Sequence, residues 1–259
     1  MGKIFTVASG SSGNCTYIGY GKNGILIDAG VSAKAITQAL SEQDIDINGI
    51  MGIFITHEHT DHISGLKVFA NKHNLPVFAS SDTLNRLVEM GIAGDNGIVV
   101  KTVTTAGDFS VTRFATSHDC EGSSGYIVEL PDGQKCAVCT DLGIVTDDIR
   151  EQLSGCNAVL LESNHDVTLL QKGTYPEVLK RRILSDCGHL SNNACAIELP
   201  KLVDSGTTRI ILGHLSRENN RPQIARSAAV AALMDKKMVE NSDYKLFVAP
   251  PKMGEVVKF

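Results

Sequence analysis

The sequence predicts an α/β (α+β) fold in which two β-sheets pack face to face and carry helices on both outer sides, an αββα arrangement. Short apolar runs typical of strands alternate with amphipathic runs typical of helices along the whole chain. No low-complexity tract, proline-rich linker or block of like charge interrupts them. Two sheets covered by outer helices would bury such a pattern. We therefore expect residues 1–259 to form a single domain.

The first half of the chain is expected to be rich in strands. Gly, Ser and Asn separate its short apolar runs, as in strands joined by tight turns. GIMGIFI is a continuous apolar run, which is typical of a strand buried on both faces. Gly91 is a helix-stop residue. We predict strands over 4–9, 15–20, 24–30, 49–55 and 76–80, and helices over 32–40, 63–70 and 83–90.

The second half is expected to mix strands with more helices. Each apolar run is again short and bounded by turn residues, and an Ala-rich stretch near the end has helical composition. We predict strands over 97–103, 109–116, 125–130, 136–141, 157–163, 209–214 and 245–250, and helices over 147–153, 176–184, 191–203 and 223–236.

Composition and charge restrict the function. A formal net charge of −5 excludes attraction of nucleic acid by bulk charge, so any such site must be a local basic patch. The longest apolar runs are too short to cross a bilayer. The opening MGKIFTVASGSSGN contains no long apolar run after its Lys, so we expect no secretory signal and a cytoplasmic protein.

Cysteine usage agrees with a reducing compartment. The chain has 7 cysteines, an odd and scattered set that free thiols explain most simply. Cys136 and Cys139 form a CxxC within a predicted strand, where they would face opposite sides, and no second pair completes a tetrahedral zinc site. We therefore expect no structural zinc there.

The strongest chemical signal is the run THEHTDH at 56–62, directly after the buried strand. Four of its side chains can bind metals, and on a turn at a strand end they can converge on one point. The spacing suits two ions, with His57 and His59 on one, and Asp61 and His62 on the other. A polar loop that is rich in His by chance is the alternative interpretation.

This His-x-His-x-Asp-His motif resembles the signature of the metallo-β-lactamase superfamily, whose fold is an αββα sandwich. The resemblance implies that His118 is the third ligand of the first metal, Asp141 the bridging carboxylate and His214 the last ligand of the second metal; each follows a predicted strand. Five imidazoles and two carboxylates favour zinc, manganese or iron. Two such ions would hold a bridging hydroxide as the nucleophile, which Asp61 could orient by a hydrogen bond.

Three further stretches extend the resemblance, namely SGSSGNCT, LESNHD and GHLSNNA. Together with the metal motif they resemble the bacterial YycJ/WalJ family of exonucleases over nearly the whole chain. That family implies a cytoplasmic, metal-dependent nuclease that degrades DNA from a 5′ end, with DNA repair as its setting. The inserted β-CASP domain of ribonuclease J-type relatives is not expected, because predicted elements already fill the stretch between Asp141 and His214.

Four polar residues in these stretches are candidates for contact with the scissile phosphate. His165 and His189 could donate to a non-bridging oxygen or protonate the leaving group, and Ser163 and Asn192 would add neutral donors. Ser191 or Asn192 would cap a helix whose free N–H groups could cradle a phosphate. The alternative for both histidines is a core or capping residue bonded to the backbone.

Two basic groups could hold a DNA backbone at the rim of the pocket without reading its sequence. They are Lys180, Arg181 and Arg182 on one side, and Arg217 and Arg221 on the other. A solvated helix face is the alternative. The chain has no Trp and no basic stretch interleaved with aromatics, so stacking on single-stranded bases is not expected.

Two other functions stay open. The first is a small-molecule hydrolase on the same fold, acting on a cyclic phosphodiester or a thioester, which the negative net charge favours. The second is a metal-binding regulatory module without turnover, although a structural site needs no open coordination position. A secreted β-lactamase is excluded, because neither Cys120 nor Cys139 stands in the place of Asp141.

Overall fold

The structure is a computed structural model that describes all residues from 1 to 259. It contains fourteen strands and nine α-helices, with one 3₁₀ turn at Ile47–Gly49. The strands are β1 (Gly2–Ala8), β2 (Cys15–Tyr20), β3 (Asn23–Ile27), β4 (Ile50–Phe54), β5 (Val77–Ala79), β6 (Gly97–Val99), β7 (Val103–Ala106), β8 (Phe109–Ala115), β9 (Ser124–Glu129), β10 (Lys135–Cys139), β11 (Ala158–Glu162), β12 (Arg209–Gly213), β13 (Lys245–Val248) and β14 (Val257–Lys258). The helices are α1 (Ala33–Glu42), α2 (Thr60–Ile63), α3 (Leu66–His73), α4 (Ser81–Glu89), α5 (Asp147–Leu153), α6 (Val167–Lys172), α7 (Glu177–Ile183), α8 (Asn192–Asp204) and α9 (Pro222–Asp235).

The strands form two seven-stranded sheets of similar design. The first has the order β14-β1-β2-β3-β4-β5-β6 and the second the order β13-β12-β11-β10-β9-β8-β7. In the first sheet, β14, β1, β2 and β3 pair antiparallel and β3 to β6 pair parallel. In the second sheet, β7 to β10 pair antiparallel and β10 to β13 pair parallel. Carboxyl ends of parallel strands share one edge of a sheet, where open α/β sheets place their ligands.

Three apolar layers hold these elements together and confirm the predicted αββα fold. The central layer joins the sheets, for example through Ile18 and Tyr126. A second layer packs the first sheet against α1, α3 and α4, and a third packs the other sheet against α5, α8 and α9. Cys136 lies in the central layer and Cys139 in an outer one, so they face opposite sides as predicted. None of the helices combines the length and apolar character of a membrane span.

The structure differs from the predicted elements at one crossover between the sheets. The run 97–103, predicted as one strand, divides into β6 at the edge of the first sheet and β7 at the edge of the second. Val100 still donates to Ala79 O in the first sheet, whereas Arg113 N–H bonds Thr102 O in the second. The Arg113 guanidinium donates to Val100 O and Lys101 O and fixes the crossover. The predicted helix 63–70 corresponds to α3, and the short α2, α6 and β14 were not predicted.

Candidate metal centre

Six of the seven candidate ligands follow strands that take part in parallel pairing, and His118 follows the antiparallel strand β8. The THEHTDH run follows β4 and enters α2, while Asp141 follows β10 and His214 follows β12. Both Asp141 and His214 have positive φ, at 59° and 54°. Residues other than glycine adopt this conformation at a cost, and such positions cluster at functional sites. Here it turns both side chains at the edge of the second sheet towards the histidines of the first.

His57, His59 and His118 lie close together where the two sheets meet and form a first candidate metal position, called the first metal position below. Nε2 of His57 lies 3.0 Å from Nδ1 of His59, and the His118 ring is 5.0 Å from the His57 ring and 5.2 Å from the His59 ring. One ligand atom from each, together with the Cys120 sulfur, lies within 4.8 Å of the others. These are the three residues that the sequence assigns to one metal.

A second metal position, defined by Asp61, His62 and His214, lies beside the first. Oδ2 of Asp61 is 3.6 Å from Nε2 of His62 and 3.8 Å from Nε2 of His214. Asp141 lies between the two positions, with Oδ2 3.4 Å from Nε2 of His62 and Oδ1 3.9 Å from Nε2 of His118. The structure thus brings all seven predicted ligands close together.

Unpaired atoms at the centre fit divalent metal ions. Nε2 of His118, Nε2 of His214 and Oδ2 of Asp141 are all buried and have no hydrogen-bond partner. Buried polar atoms are rarely left unpaired, and a missing ion is one of the accepted reasons. Imidazole and carboxylate together suit zinc, manganese or iron. The buried atoms without hydrogen-bond partners therefore support a metal-binding site here.

Asp28 is a site residue that the sequence reasoning missed. It is buried at the end of β3, where Oδ2 accepts a hydrogen bond from Nδ1 of His62 at 2.8 Å. The Thr56 hydroxyl also donates to Asp28, and this hydroxyl lies 3.0 Å from Nδ1 of His57. Asp28 therefore fixes His62 directly and His57 through Thr56, leaving each Nε2 for a ligand. The signal was an Asp that ends an otherwise apolar strand.

The charge state of His62 follows from this pairing. Burial favours the neutral ring, but Asp28 and Asp141 outweigh burial and raise the pKa of His62 to about 9. His57, by contrast, has a pKa well below its usual value, because it is buried and has other imidazoles around it. A protonated His62 neutralises part of the carboxylate charge, and a metal ion held by Nε2 would take the place of one ring proton.

Glu162 is a second missed residue and the last of β11. Its carboxylate is fully buried, and Oε1 accepts from Nδ1 of His189 and Nδ1 of His214, both at 2.8 Å. Oε2 accepts from the backbone N–H groups of Leu142 at 3.0 Å and Leu190 at 3.3 Å. Four donors thus converge on one side chain. An acidic residue closing the apolar run NAVLLE could have revealed it.

The glycine-rich turn after β1 also reaches the centre. Asn14 Nδ2 lies 3.1 Å from Nε2 of His62 and 3.3 Å from Oδ2 of Asp61, and Asn14 Oδ1 accepts from Gly10 N–H. Ser9 Oγ accepts the backbone N–H of His214 at 2.8 Å. This turn from the first sheet therefore fixes residues at both ends of the second position.

The two further histidines differ in their access to the centre. The ring of His189 lies 5.2 Å from those of His118 and His214, and 20% of its side chain is exposed. His165 is only 1% exposed, joins none of the ligand groups and has both ring nitrogens unpaired. Burial lowers the pKa of His165 to about 4, so the ring is neutral at physiological pH. The prediction that His165 contacts the substrate does not agree with this burial.

Ser163 and Asn192, predicted as donors to the substrate, are instead part of a buried network. Ser163 Oγ donates to Asn192 Oδ1 at 2.7 Å, and the amides of Asn192 and Asn220 bond each other. The predicted phosphate cradle is also occupied, since Asn192 N–H donates to His165 O and the Ser191 cap accepts from Ala194. These groups hold two loops together, and their donors are not free for a phosphate.

The predicted basic rim is divided. Lys180 is buried and donates to Gln171 O at 2.8 Å and to Glu177, so it cannot contact DNA. Arg182 pairs with Asp119, beside His118. Arg181, Arg217 and Arg221 are exposed. A groove next to His59 is acidic, lined by Glu58, Asp82, Glu89, Asp119 and Glu121, with Arg86 as its basic side chain.

Comparison with known proteins agrees with this geometry. Residues 23–215 match the model of the β-lactamase superfamily domain. The chain is 38% identical to exodeoxyribonuclease YycJ of Bacillus anthracis, over 100% of both chains. It belongs to the β-lactamase superfamily and, within it, to the YycJ/WalJ family. This YycJ/WalJ family member is also 35% identical to exodeoxyribonuclease WalJ of Streptococcus pneumoniae, over 96% of this chain and 94% of that one.

Solved structures confirm the fold of this YycJ/WalJ family member. Zn²⁺-bound PqqB from Methylobacterium extorquens superposes with a TM-score of 0.72 at 15% identity, covering 99% of this chain and 100% of the other. YhfI from Bacillus subtilis, described as a metallo-β-lactamase fold protein, gives a TM-score of 0.70 at 14% identity, covering 99% and 98%. Both likenesses concern the fold alone.

Proposed function

We propose that this chain is a metal-dependent exodeoxyribonuclease that hydrolyses DNA from a 5′ end. The observation that carries the proposal is similarity along the whole chain to relatives named exodeoxyribonuclease, at 38% and 35% identity. All seven candidate ligands converge between the sheets. The ligand set is complete, and its edge at Asp61 and His59 is partly exposed. This favours a catalytic site that a substrate can reach and not a closed structural site.

The seven ligands would hold two divalent ions, zinc, manganese or iron. His57, His59 and His118 would bind the first and Asp61, His62 and His214 the second, with Asp141 between them. When bound, such ions supply Lewis acidity that stabilises charge developing on phosphoryl oxygens. Asp61 is 27% exposed, and its carboxylate could orient an attacking water by accepting a hydrogen bond.

His189 is the best-placed residue to hold a proton for the leaving sugar oxygen. Its Nδ1–H donates to Glu162, which fixes the ring and leaves Nε2 as the free nitrogen. Burial opposes a charge on this ring, but Glu162 outweighs burial and raises the pKa of His189. The raised pKa favours the protonated imidazole, which is the form that can act as a general acid. We assign this role to His189 and not to the buried His165.

Charge around the centre favours one approach for DNA. The acidic groove beside His59 would repel a polyanion, whereas exposed Arg217 and Arg221 follow His214 at the second metal position. We place the DNA backbone on the side of these two arginines, with contacts to phosphates and not to bases. Binding of this kind should weaken steeply as salt increases.

The deciding experiment is digestion of 5′-labelled duplex DNA with added manganese. Wild-type protein should release labelled nucleotides. Asp61→Asn should be inactive although folded, and Asp132→Asn, the same change in an exposed hairpin turn, should keep full activity. No release by the wild type, or full activity of Asp61→Asn, would refute the proposal. Hydrolysis of a cyclic phosphodiester or a thioester instead would identify the small-molecule hydrolase.

The setting of the activity is part of the same proposal. Ligands come from both sheets, which supports the whole of 1–259 acting as one catalytic unit without an inserted β-CASP domain. Seven free cysteines, five of them buried, support a reducing cytoplasm. We place the enzyme in DNA repair, since an exonuclease on duplex ends produces the single strands and gaps that repair processes.

A further inference from the structure

Cys120 brings a thiol to the first metal position. It lies in the loop after β8, two residues beyond His118. Its sulfur belongs to the same cluster as one ligand atom each of His57, His59 and His118, all within 4.8 Å. The sequence alone indicated a donor set without a thiolate, because nothing in the spacing of SHDC shows on which side of the loop the sulfur lies.

The neighbouring histidine is independent evidence of a ligand here. The side chain of His118 is 1% exposed, and its Nδ1 lies 3.2 Å from the carbonyl oxygen of Gly188. Its Nε2 is buried and has no hydrogen-bond partner. This unpaired nitrogen belongs to the same cluster as the Cys120 sulfur, so an ion bound by the sulfur would also meet an imidazole donor.

The other cysteines do not share this setting. Cys15, Cys136, Cys139, Cys156 and Cys195 are buried in the fold, and Cys187 is exposed but joins no ligand cluster. Cys120 is half-buried and lines the acidic groove beside His59. It is therefore the one thiol in the chain placed among metal-binding side chains.

We propose that Cys120 is an additional ligand of the first metal position, beside His57, His59, His118 and the shared Asp141, and that its sulfur favours thiophilic ions such as Zn²⁺. On coordination the thiol loses its proton to solvent and the sulfur donates an electron pair to the ion, with no change in oxidation state. Imidazole nitrogen and thiolate sulfur are both ligands that zinc binds in proteins. Manganese prefers oxygen ligands and gains little from the sulfur.

This inference rests on the metal centre and not on the proposed nuclease activity, so spectroscopy can test it separately. Cobalt(II) added to the metal-free protein should produce a sulfur-to-cobalt charge-transfer band in the near ultraviolet. The band should disappear in Cys120→Ser and persist in Cys187→Ser, which removes an exposed thiol outside the cluster. No band in the wild type, or an unchanged band in Cys120→Ser, overturns the proposal.

Zinc affinity and zinc X-ray absorption provide a second test that does not need DNA. In chelator competition, Cys120→Ser should lose at least about tenfold in zinc affinity, the lower end of what neighbours of metal ligands contribute. Manganese affinity should stay within about twofold. X-ray absorption of the wild-type zinc form should show a sulfur neighbour at about 2.3 Å. Its absence overturns the proposal even where the variant does not fold.

Discussion

Replacing Glu162 with Gln should remove the carboxylate that orients His189 and His214, while hardly changing the volume of the side chain. Oε2 accepts two backbone N–H groups, which can only donate, so the Gln oxygen must take that place. The Gln NH₂ then faces Nδ1 of His189 and Nδ1 of His214, where both are donors now. To avoid opposed donors, both rings must shift the proton to Nε2. On His214 that nitrogen is the one that faces the metal position.

The expected cost has two parts. Partners of this kind contribute about 10–100-fold to metal affinity, which is about 1.4–2.7 kcal/mol at the second position. In addition, His189 loses the carboxylate that raises its pKa. General acid catalysis contributes about 10²–10⁴-fold, so kcat at saturating metal should fall by at least about 10²-fold.

The assay combines metal competition against a chelator with kcat measured over a range of manganese concentrations. Glu198→Gln is the matched control, because Glu198 of α8 is also a buried carboxylate but pairs with Arg150 of α5 and Lys201 of α8, away from the ligands. The control should keep the wild-type metal affinity and kcat. If Glu162→Gln behaves like Glu198→Gln in both measurements, the tautomer argument is wrong.

Three further predictions concern pH, the buried network and the DNA contact. A metal ion must displace the proton of His62, whose pKa is raised from 6.5 to about 9 despite burial, chiefly by Asp28; metal affinity should therefore rise between these pH values, by up to about tenfold per unit. In the metal-free protein, the protonated pair of His62 and Asp28 contributes its full stability below pH 6.5, and this contribution is lost as the pH rises through about 9. A metal affinity that does not change with pH, or a urea stability that increases over this range, would contradict the prediction. Asn192→Ala should lower the free energy of unfolding by about 1–3 kcal/mol, because the Ser163 hydroxyl loses its acceptor, and KM for DNA should stay unchanged. A raised KM with unchanged urea stability would instead indicate that Asn192 contacts the substrate. Arg217→Ala should weaken DNA binding and reduce the salt slope by about 1; an unchanged slope would move the DNA elsewhere.

The sequence predicts the layers of this fold well, because each sheet buries one face against the other sheet and one against helices. Residues 49–55 show why: a run that is apolar on both faces can only lie inside such a sandwich. The crossover at 97–103 could not be predicted in the same way. Its residues are strand-like throughout, and only the pairing of Val100 with Ala79 and of Thr102 with Arg113 divides them between sheets.

Four candidate ligands could be predicted because their motif is local, and the other three because the superfamily resemblance implies them, whereas the residues that orient them could not. Asp28 and Glu162 each end an apolar strand, and nothing in their own sequence shows which histidine lies opposite. The reverse error arose for Ser163 and Asn192, whose polar side chains suggest a substrate contact. Their partners, Asn220 and each other, come together only in the folded chain.

The two metal positions are supported unequally, which gives them different expected roles. At the second position, buried carboxylates from different sheets hold Nδ1 of His62 and Nδ1 of His214. At the first, His118 faces a backbone carbonyl, and His59 is 35% exposed with its nearest carboxylate at 3.9 Å. A carboxylate partner strengthens and orients an imidazole ligand more than a neutral one does. We therefore expect the side chains of the second position to be ordered before metal binds. The first depends more on the ion itself, and there an additional ligand such as Cys120 has the largest effect on which ion is bound.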